Sequence, residues 1–136
     1  MTHKLENLIK VNVRVRDLDE ALAFFGDVLG AELIHNRGSD TIGDFSGATA
    51  RIGDVVLDFV APNTEHSALA KNIEARGQGL DSICFQVDNL EDTAEALRSR
   101  EIELINRHDF HGNKIGFIHP RDAFGMLIEL IERPAE

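Results

Sequence analysis

Residues 8–16 alternate between two faces. Ile9, Val11, Val13 and Val15 share one, and Lys10, Asn12, Arg14 and Arg16 share the other. This two-residue period predicts a strand with one buried side. Asp17 follows as a helix N-cap, with Glu20 at capping-box distance. Leu18, Ala21, Leu22, Phe25, Val28 and Leu29 then recur at helical spacing, and Gly30 supplies the stop. Residues 31–37 predict a strand, Gly38-Ser39-Asp40-Thr41 a turn, and 45–52 with 55–61 a hairpin across Gly53-Asp54. A helix over 65–75, carrying Leu69 and Ile73, ends at Gly77-Gln78-Gly79. The order then returns: strand 80–87, then helix 89–99 with Asn89 as N-cap and Leu90, Ala94 and Leu97 as its buried stripe. Strands over 102–107, 114–119 and 124–132 complete it.

The second half overlays the first. With Leu8 placed on Leu80, Lys10-Val11-Asn12-Val13 falls on Ser82-Ile83-Cys84-Phe85. After a slip of one residue, Glu32-Leu33-Ile34 falls on Glu103-Leu104-Ile105. Val56-Leu57-Asp58-Phe59-Val60 likewise falls on Leu127-Ile128-Glu129-Leu130-Ile131. The duplication predicts an α+β fold of two tandem βαβββ modules, residues 1–62 and 80–136, joined by a helix and turn over 63–79. They are expected to form a curved mixed sheet around a cavity. The valine-rich faces should pack on the helices. On the opposite face Asp58 stands between Val56 and Val60, and Glu129 between Leu127 and Ile131. Carboxylates with apolar neighbours on a strand are expected to line a ligand cavity.

Composition narrows the function. A hydrophobic fraction of 43% suits a globular chain. A net charge of −10 argues against nucleic acid. No apolar run has the length of a membrane span, and the first residues lack a signal-peptide core. The single cysteine, Cys84, has no internal disulfide partner. Together these predict a cytoplasmic protein without a membrane partner.

Several stretches carry a resemblance. They are Val15-Arg16-Asp17-Leu18-Asp19-Glu20-Ala21, Val28-Leu29-Gly30, Ser67-Ala68-Leu69-Ala70-Lys71 and Gly79-Leu80. The most specific is Gly112-Asn113-Lys114-Ile115-Gly116-Phe117-Ile118-His119-Pro120, followed by Gly125-Met126-Leu127-Ile128-Glu129-Leu130. Over nearly the whole chain the pattern resembles the vicinal oxygen chelate superfamily, the glyoxalase and bleomycin-resistance fold, and most of all its methylmalonyl-CoA epimerase branch. The resemblance implies a divalent metal held by one side chain from each of four strands: His, Gln or Glu, His, and Glu. Here those positions are Lys10, Asp58, Ser82 and Glu129, the same four polar positions that the internal repeat picks out.

A serine hydroxyl is a weak ligand, and a lysine ammonium has no lone pair to give. The expectation is therefore no metal cofactor, with Lys10 in the cation's place between Asp58 and Glu129. Lys10 then either makes a structural ion pair in a dead site or acts as an electrophile on a substrate carbonyl. The resemblance also implies a general base in the loop between strands two and three, where Asp40 and Asp44 are the nearest carboxylates. It further implies an anionic acyl-CoA edge at Lys114, His119 and Arg121, for which a solvated turn is the alternative. His108-Asp109-Phe110-His111 reads as a loop, His35 as a surface residue and Cys84 as a buried thiol.

The resulting expectation is a metal-independent isomerase or lyase acting on a small carbonyl or acyl compound, with Lys10, Asp58, Ser82 and Glu129 as its catalytic positions. The alternative is a bleomycin-resistance-like binding protein. A homodimer is the expected assembly, covering open strand edges.

Overall fold

The computed structural model of the protein describes residues 4–40 and 44–134, without the side chains of 35–40. The chain divides into two compact units, Lys10–Asp81 and Ser82–Glu136, the latter with the residues up to Ile9. Both are mixed α+β. Among the described residues no helix is long and apolar enough to cross a membrane.

In the first unit β1 (Leu5–Arg14) leads to a helix that starts as α1 (Leu18–Leu22) and continues as a π-turn over Ala23–Val28. The expected N-cap holds: Asp17 accepts the Glu20 N–H at 3.1 Å. Three strands follow, β2 (Glu32–Asp40), β3 (Phe45–Ile52) and β4 (Val55–Pro62), and then α2 (Ala68–Arg76), capped by Ser67. The strand order is β2-β3-β4-β1, with β1 parallel to β4 and the other pairs antiparallel.

Two boundaries differ from the sequence reading. Gly38, Ser39 and Asp40, expected in a turn, pair with Gly47, Ser46 and Phe45 as the end of β2. Register shifts at Leu33/His35 and Asn36/Gly38 break the side-chain alternation there, which hides the strand from a period-two reading. Helix α2 starts at Ala68 rather than near 65, because the Ser67 hydroxyl takes the Ala70 N–H.

The core of this unit lies between helix and strands, as the alternation predicts. Val13, Val15, Leu18, Leu22, Phe25, Ala31 and Leu57 pack around buried Ala21, Ala50 and Phe59. The Phe25 and Phe59 ring centroids are 5.1 Å apart. This apolar packing holds β1 and β4 from one side and leaves Lys10, Asn12 and Asp58 on the other.

Arg14 fixes the turn after α2. Its Nε donates to the Gly77 carbonyl at 2.8 Å and its Nη1 to the Leu80 carbonyl at 2.6 Å, with Asp81 Oδ1 at 3.3 Å. The Gln78 side chain also accepts the Arg16 N–H at 2.8 Å. Charged donors that satisfy otherwise orphaned carbonyls stabilise by about 1.5–3 kcal/mol. Arg14→Met is expected to lower unfolding free energy by about 2 kcal/mol in urea denaturation, with an unchanged m-value.

In the second unit β5 (Gly79–Val87) is followed by α3 (Leu90–Arg98), β6 (Ile105–Phe110), β7 (Asn113–Ile118), a short 3-10 turn at Pro120–Asp122, and β8 (Leu127–Glu132). The order is β5-β8-β7-β6, the topological image of the first unit. Asn89 caps α3 by accepting the Asp92 N–H at 2.9 Å. Phe85, Val87, Leu90, Ala94, Leu97, Leu104, Ile118, Ile128 and Leu130 form the helix-side core. A second cluster of Cys84, Ile115 and Ile131, with Ile9 and Phe117, lies on the opposite face.

Strand β6 begins at Ile105 and runs to Phe110, later than the expected 102–107. A bulge between Ile105 and His108, with Asn106 in the left-handed region (φ 51°), shifts the pairing. His108, Asp109 and Phe110 are therefore strand residues rather than loop.

Candidate functional site

In the first unit the site is built on three neighbouring strands. Asn12 on β1 lies opposite Asp58 on β4, and Thr49 on β3 lies opposite Asp58 from the other side. Lys10, two residues before Asn12, shares their face. Its Nζ stands 3.7 Å from Asp58 Oδ2. The Thr49 hydroxyl donates to Asp58 Oδ1 at 3.4 Å. One carboxylate oxygen thus faces a cation and the other accepts from a hydroxyl. Asp58 is 6% exposed and Asn12 8%, whereas the Lys10 side chain retains 27%. A carboxylate this deep needs a cation or several donors to offset its lost hydration, and Lys10 supplies the cation.

The second unit holds the other two expected positions. Ser82 on β5 pairs with Leu127, and Cys84 pairs with Glu129 on β8. Glu129 also lies opposite Phe117 on β7. Ser82 is 6% exposed and Glu129 5%. Cys84 is fully buried in the Ile115/Ile131 cluster, in line with the reading of a packed thiol. Of the four family positions, Asp58, Ser82 and Glu129 are buried polar groups on strands, and Lys10 is half-buried.

The donor chemistry does not suit a divalent metal. Lys10 offers no lone pair and is engaged with Asp58. Among the described residues no group of three or more His, Cys, Asp or Glu is arranged to hold an ion.

The expected anionic edge is spread out. Lys114 begins β7 and lies 4.0 Å from Glu132 Oε2. His119 follows the end of that strand, five residues on, or roughly 17 Å along extended chain. There His119 Nδ1 accepts the Arg121 N–H at 3.0 Å, capping the 3-10 turn. The Arg121 guanidinium stands 3.8 Å from Asp122. The sequence grouped these three, but they occupy opposite ends of one strand.

Of the two carboxylates considered for the base, the Asp44 side chain accepts from the Thr64 hydroxyl. The Asp40 side chain, like that of His35, lies outside the described residues. Residues 41–43, which include Thr41 of the expected turn, lie outside them too.

The sequence reading missed the roles of Asn12 and Thr49. The signal was present: the Gly53-Asp54 turn sets Ile52 opposite Val55, and counting back three pairs puts Thr49 opposite Asp58.

One ionisable group outside the site has a displaced equilibrium. Arg107 hydrogen-bonds Glu91 at 2.6 Å, and that bond, then the guanidinium charge, hold the Glu91 carboxyl below its ordinary 4.5. A depressed folded-state value stabilises above the ordinary value, and the contribution disappears as pH falls through the folded one. An NMR titration should find Glu91 returning toward its ordinary value in Arg107→Gln.

The chain is similar to known proteins over nearly its whole length. The uncharacterized protein YqjC of Bacillus subtilis (strain 168) is 31% identical over 133 residues, covering 94% of this chain and 93% of that protein. The crystal structure of methylmalonyl-CoA epimerase from Mycobacterium tuberculosis superposes with a TM-score of 0.82 at 30% identity, covering 96% of this chain and 90% of that one. A methylmalonyl-CoA epimerase in complex with methylmalonyl-CoA and NH4+ matches at a TM-score of 0.82 and 25% identity, over 97% of each chain. The family model of the glyoxalase, bleomycin resistance protein and dioxygenase superfamily matches residues 7–130. With its two βαβββ units and its polar strand faces, the chain belongs to that superfamily.

Proposed function

We propose that the protein is a metal-independent epimerase or isomerase of this superfamily, acting on a small acyl thioester of the acyl-CoA class. The observation that carries this reading is the Lys10–Asp58 pair, an ammonium and a carboxylate 3.7 Å apart on a mostly buried strand face. Abstraction of the proton beside a thioester carbonyl places negative charge on the carbonyl oxygen. A fixed ammonium in a poorly solvated site is a strong stabiliser of such charge. Lys10 takes that part, and its strand neighbour Asp58 moves the proton. Relatives named methylmalonyl-CoA epimerase support the substrate class. One related structure holds methylmalonyl-CoA together with NH4+, the same kind of cation that Lys10 carries at its tip.

The test is solvent exchange. The protein is incubated in D2O with a panel of 2-methyl-branched acyl-CoA thioesters, including methylmalonyl-CoA, and the α-proton signal is followed by NMR. The reading expects enzyme-dependent loss of that signal for at least one thioester. Saturable thermal stabilisation by a ligand without exchange would favour a binding protein instead.

A further inference from the structure

The helix side of the first unit holds a cavity that its core leaves unfilled. Its volume is about 390 Å³, within the range of small-molecule sites. The helix supplies Leu22, Ala23, Phe25 and Gly26 as one wall, and Ala31, Leu33 and Ala50 form the other. Protein interiors are normally packed to crystal-like density. Here alanine or glycine stands at four of these seven positions, where larger side chains would close the space. Phe25 and Ala50 belong to the helix-side core, so the cavity lies away from the face of Lys10, Asn12 and Asp58.

The helix opens this space by widening. The Leu29 N–H bonds the Phe24 carbonyl, five residues back, at 3.0 Å, and the Ala31 N–H bonds the Phe25 carbonyl at 2.8 Å. Such π-turns are rare and recur at functional sites. Gly26 sits in the widened turn with an ordinary backbone. A Cβ there would meet only the Ala31 carbonyl, at 3.8 Å. The backbone therefore does not demand glycine, and the effect of its missing side chain falls on the cavity that it borders.

Charge selects the occupant. Asp19 and Asp27 complete the lining. They stand eight residues apart, or about 12 Å along a helix. Among the described residues neither carboxylate has an ion-pair partner. Residues 17–34 carry Asp17, Asp19, Glu20, Asp27 and Glu32, and no Lys, Arg or His. The flanking cations, Arg16 before the cap and Arg51 opposite Glu32, are outside the lining. Such a field repels anions and attracts cations, and the Phe25 ring adds a face that favours an ammonium group.

We propose that this cavity binds an organic ammonium ion with an apolar body. The body rests against Phe25 and Ala50, and the charge lies beside Asp19 or Asp27. The site is separate from the acyl site proposed above and does not depend on that reading.

The experiment titrates isotope-labelled protein, followed by NMR, with three probes of one shape: phenylbutylammonium, phenylbutanol and phenylbutanoate. The ammonium is expected to shift the backbone signals of residues 22–27, Ala31 and Ala50, and to bind about 10-fold more tightly than the alcohol. The carboxylate should leave those signals in place. Gly26→Leu fills the cavity and should lose ammonium binding. Its thermal midpoint should stay at or above the wild-type value, because leucine is the better helix former. Asp19→Asn combined with Asp27→Asn should bind the ammonium and the alcohol equally. Equal binding of all three probes by the wild type overturns the proposal, as do shifts confined to other residues. Undiminished ammonium binding in Gly26→Leu or in the double variant also overturns it. So does a dimer in sedimentation whose formation, without any probe, shifts the same signals, because a second copy then covers this face.

Discussion

Lys10→Met is expected to lower catalysed α-proton exchange by about 10²–10³-fold, the usual cost of removing one preorganised stabiliser of developing oxyanion charge. Methionine keeps most of the lysine stem, so the loss isolates the ammonium. The same change should destabilise the fold. Asp58, 6% exposed, keeps its Thr49 hydrogen bond but loses the cation 3.7 Å away. Removing one partner of a buried pair costs about 3–5 kcal/mol, and the partial exposure of Lys10 puts the expected value at about 3 kcal/mol. The two effects are separable. Lys10→Met with Asp58→Asn removes both charges and should recover much of the stability, as read by urea denaturation, and none of the exchange. A Lys10→Met variant that turns over like wild type would make the pair structural.

Phe59→Ala is expected to be the most damaging single change to the first unit. Phe59 is fully buried and packs at a tilt against Phe25, and truncating such a ring costs about 3–5 kcal/mol through lost burial and the cavity left behind. The neighbours do not easily collapse into that space. Ala48 opposite it in register is already fully buried, and Ala21 and Ala50 beside it have no side chain to rearrange. For a domain with about 5–15 kcal/mol in total, that loss should appear as a large fall in thermal midpoint. Phe59 adjoins Asp58 on β4 and faces the helix side, so the loosened strand should also weaken ligand-induced stabilisation.

The fold was legible where two periods were clean. Ile9, Val11, Val13 and Val15 give β1 and its buried face, and Asp17 and Asn89 mark the starts of α1 and α3 by capping chemistry that operates locally. The internal repeat picks out Lys10, Asp58, Ser82 and Glu129, because a duplicated strand pattern aligns equivalent positions. Legibility failed where alternation is broken. The irregular pairing of β2 hid Gly38–Asp40 as strand, and the bulge in β6 hid His108. Bulges depend on how hydrogen bonds register with the partner strand, and no local residue type announces them. Asn12 and Thr49 were overlooked for a different reason: each is an ordinary polar strand residue until pairing places it beside Asp58.

In the proposed mechanism Lys10, rather than a divalent ion, supplies the positive charge. The most direct measurement is α-proton exchange of methylmalonyl-CoA by protein whose metal content has been determined by elemental analysis, before and after exhaustive chelation. Substoichiometric metal, undiminished exchange after chelation, and loss of exchange in Lys10→Met under the same conditions are the expected results. Stoichiometric zinc, cobalt, nickel or manganese, with exchange abolished by chelation and restored by the ion, would contradict that mechanism.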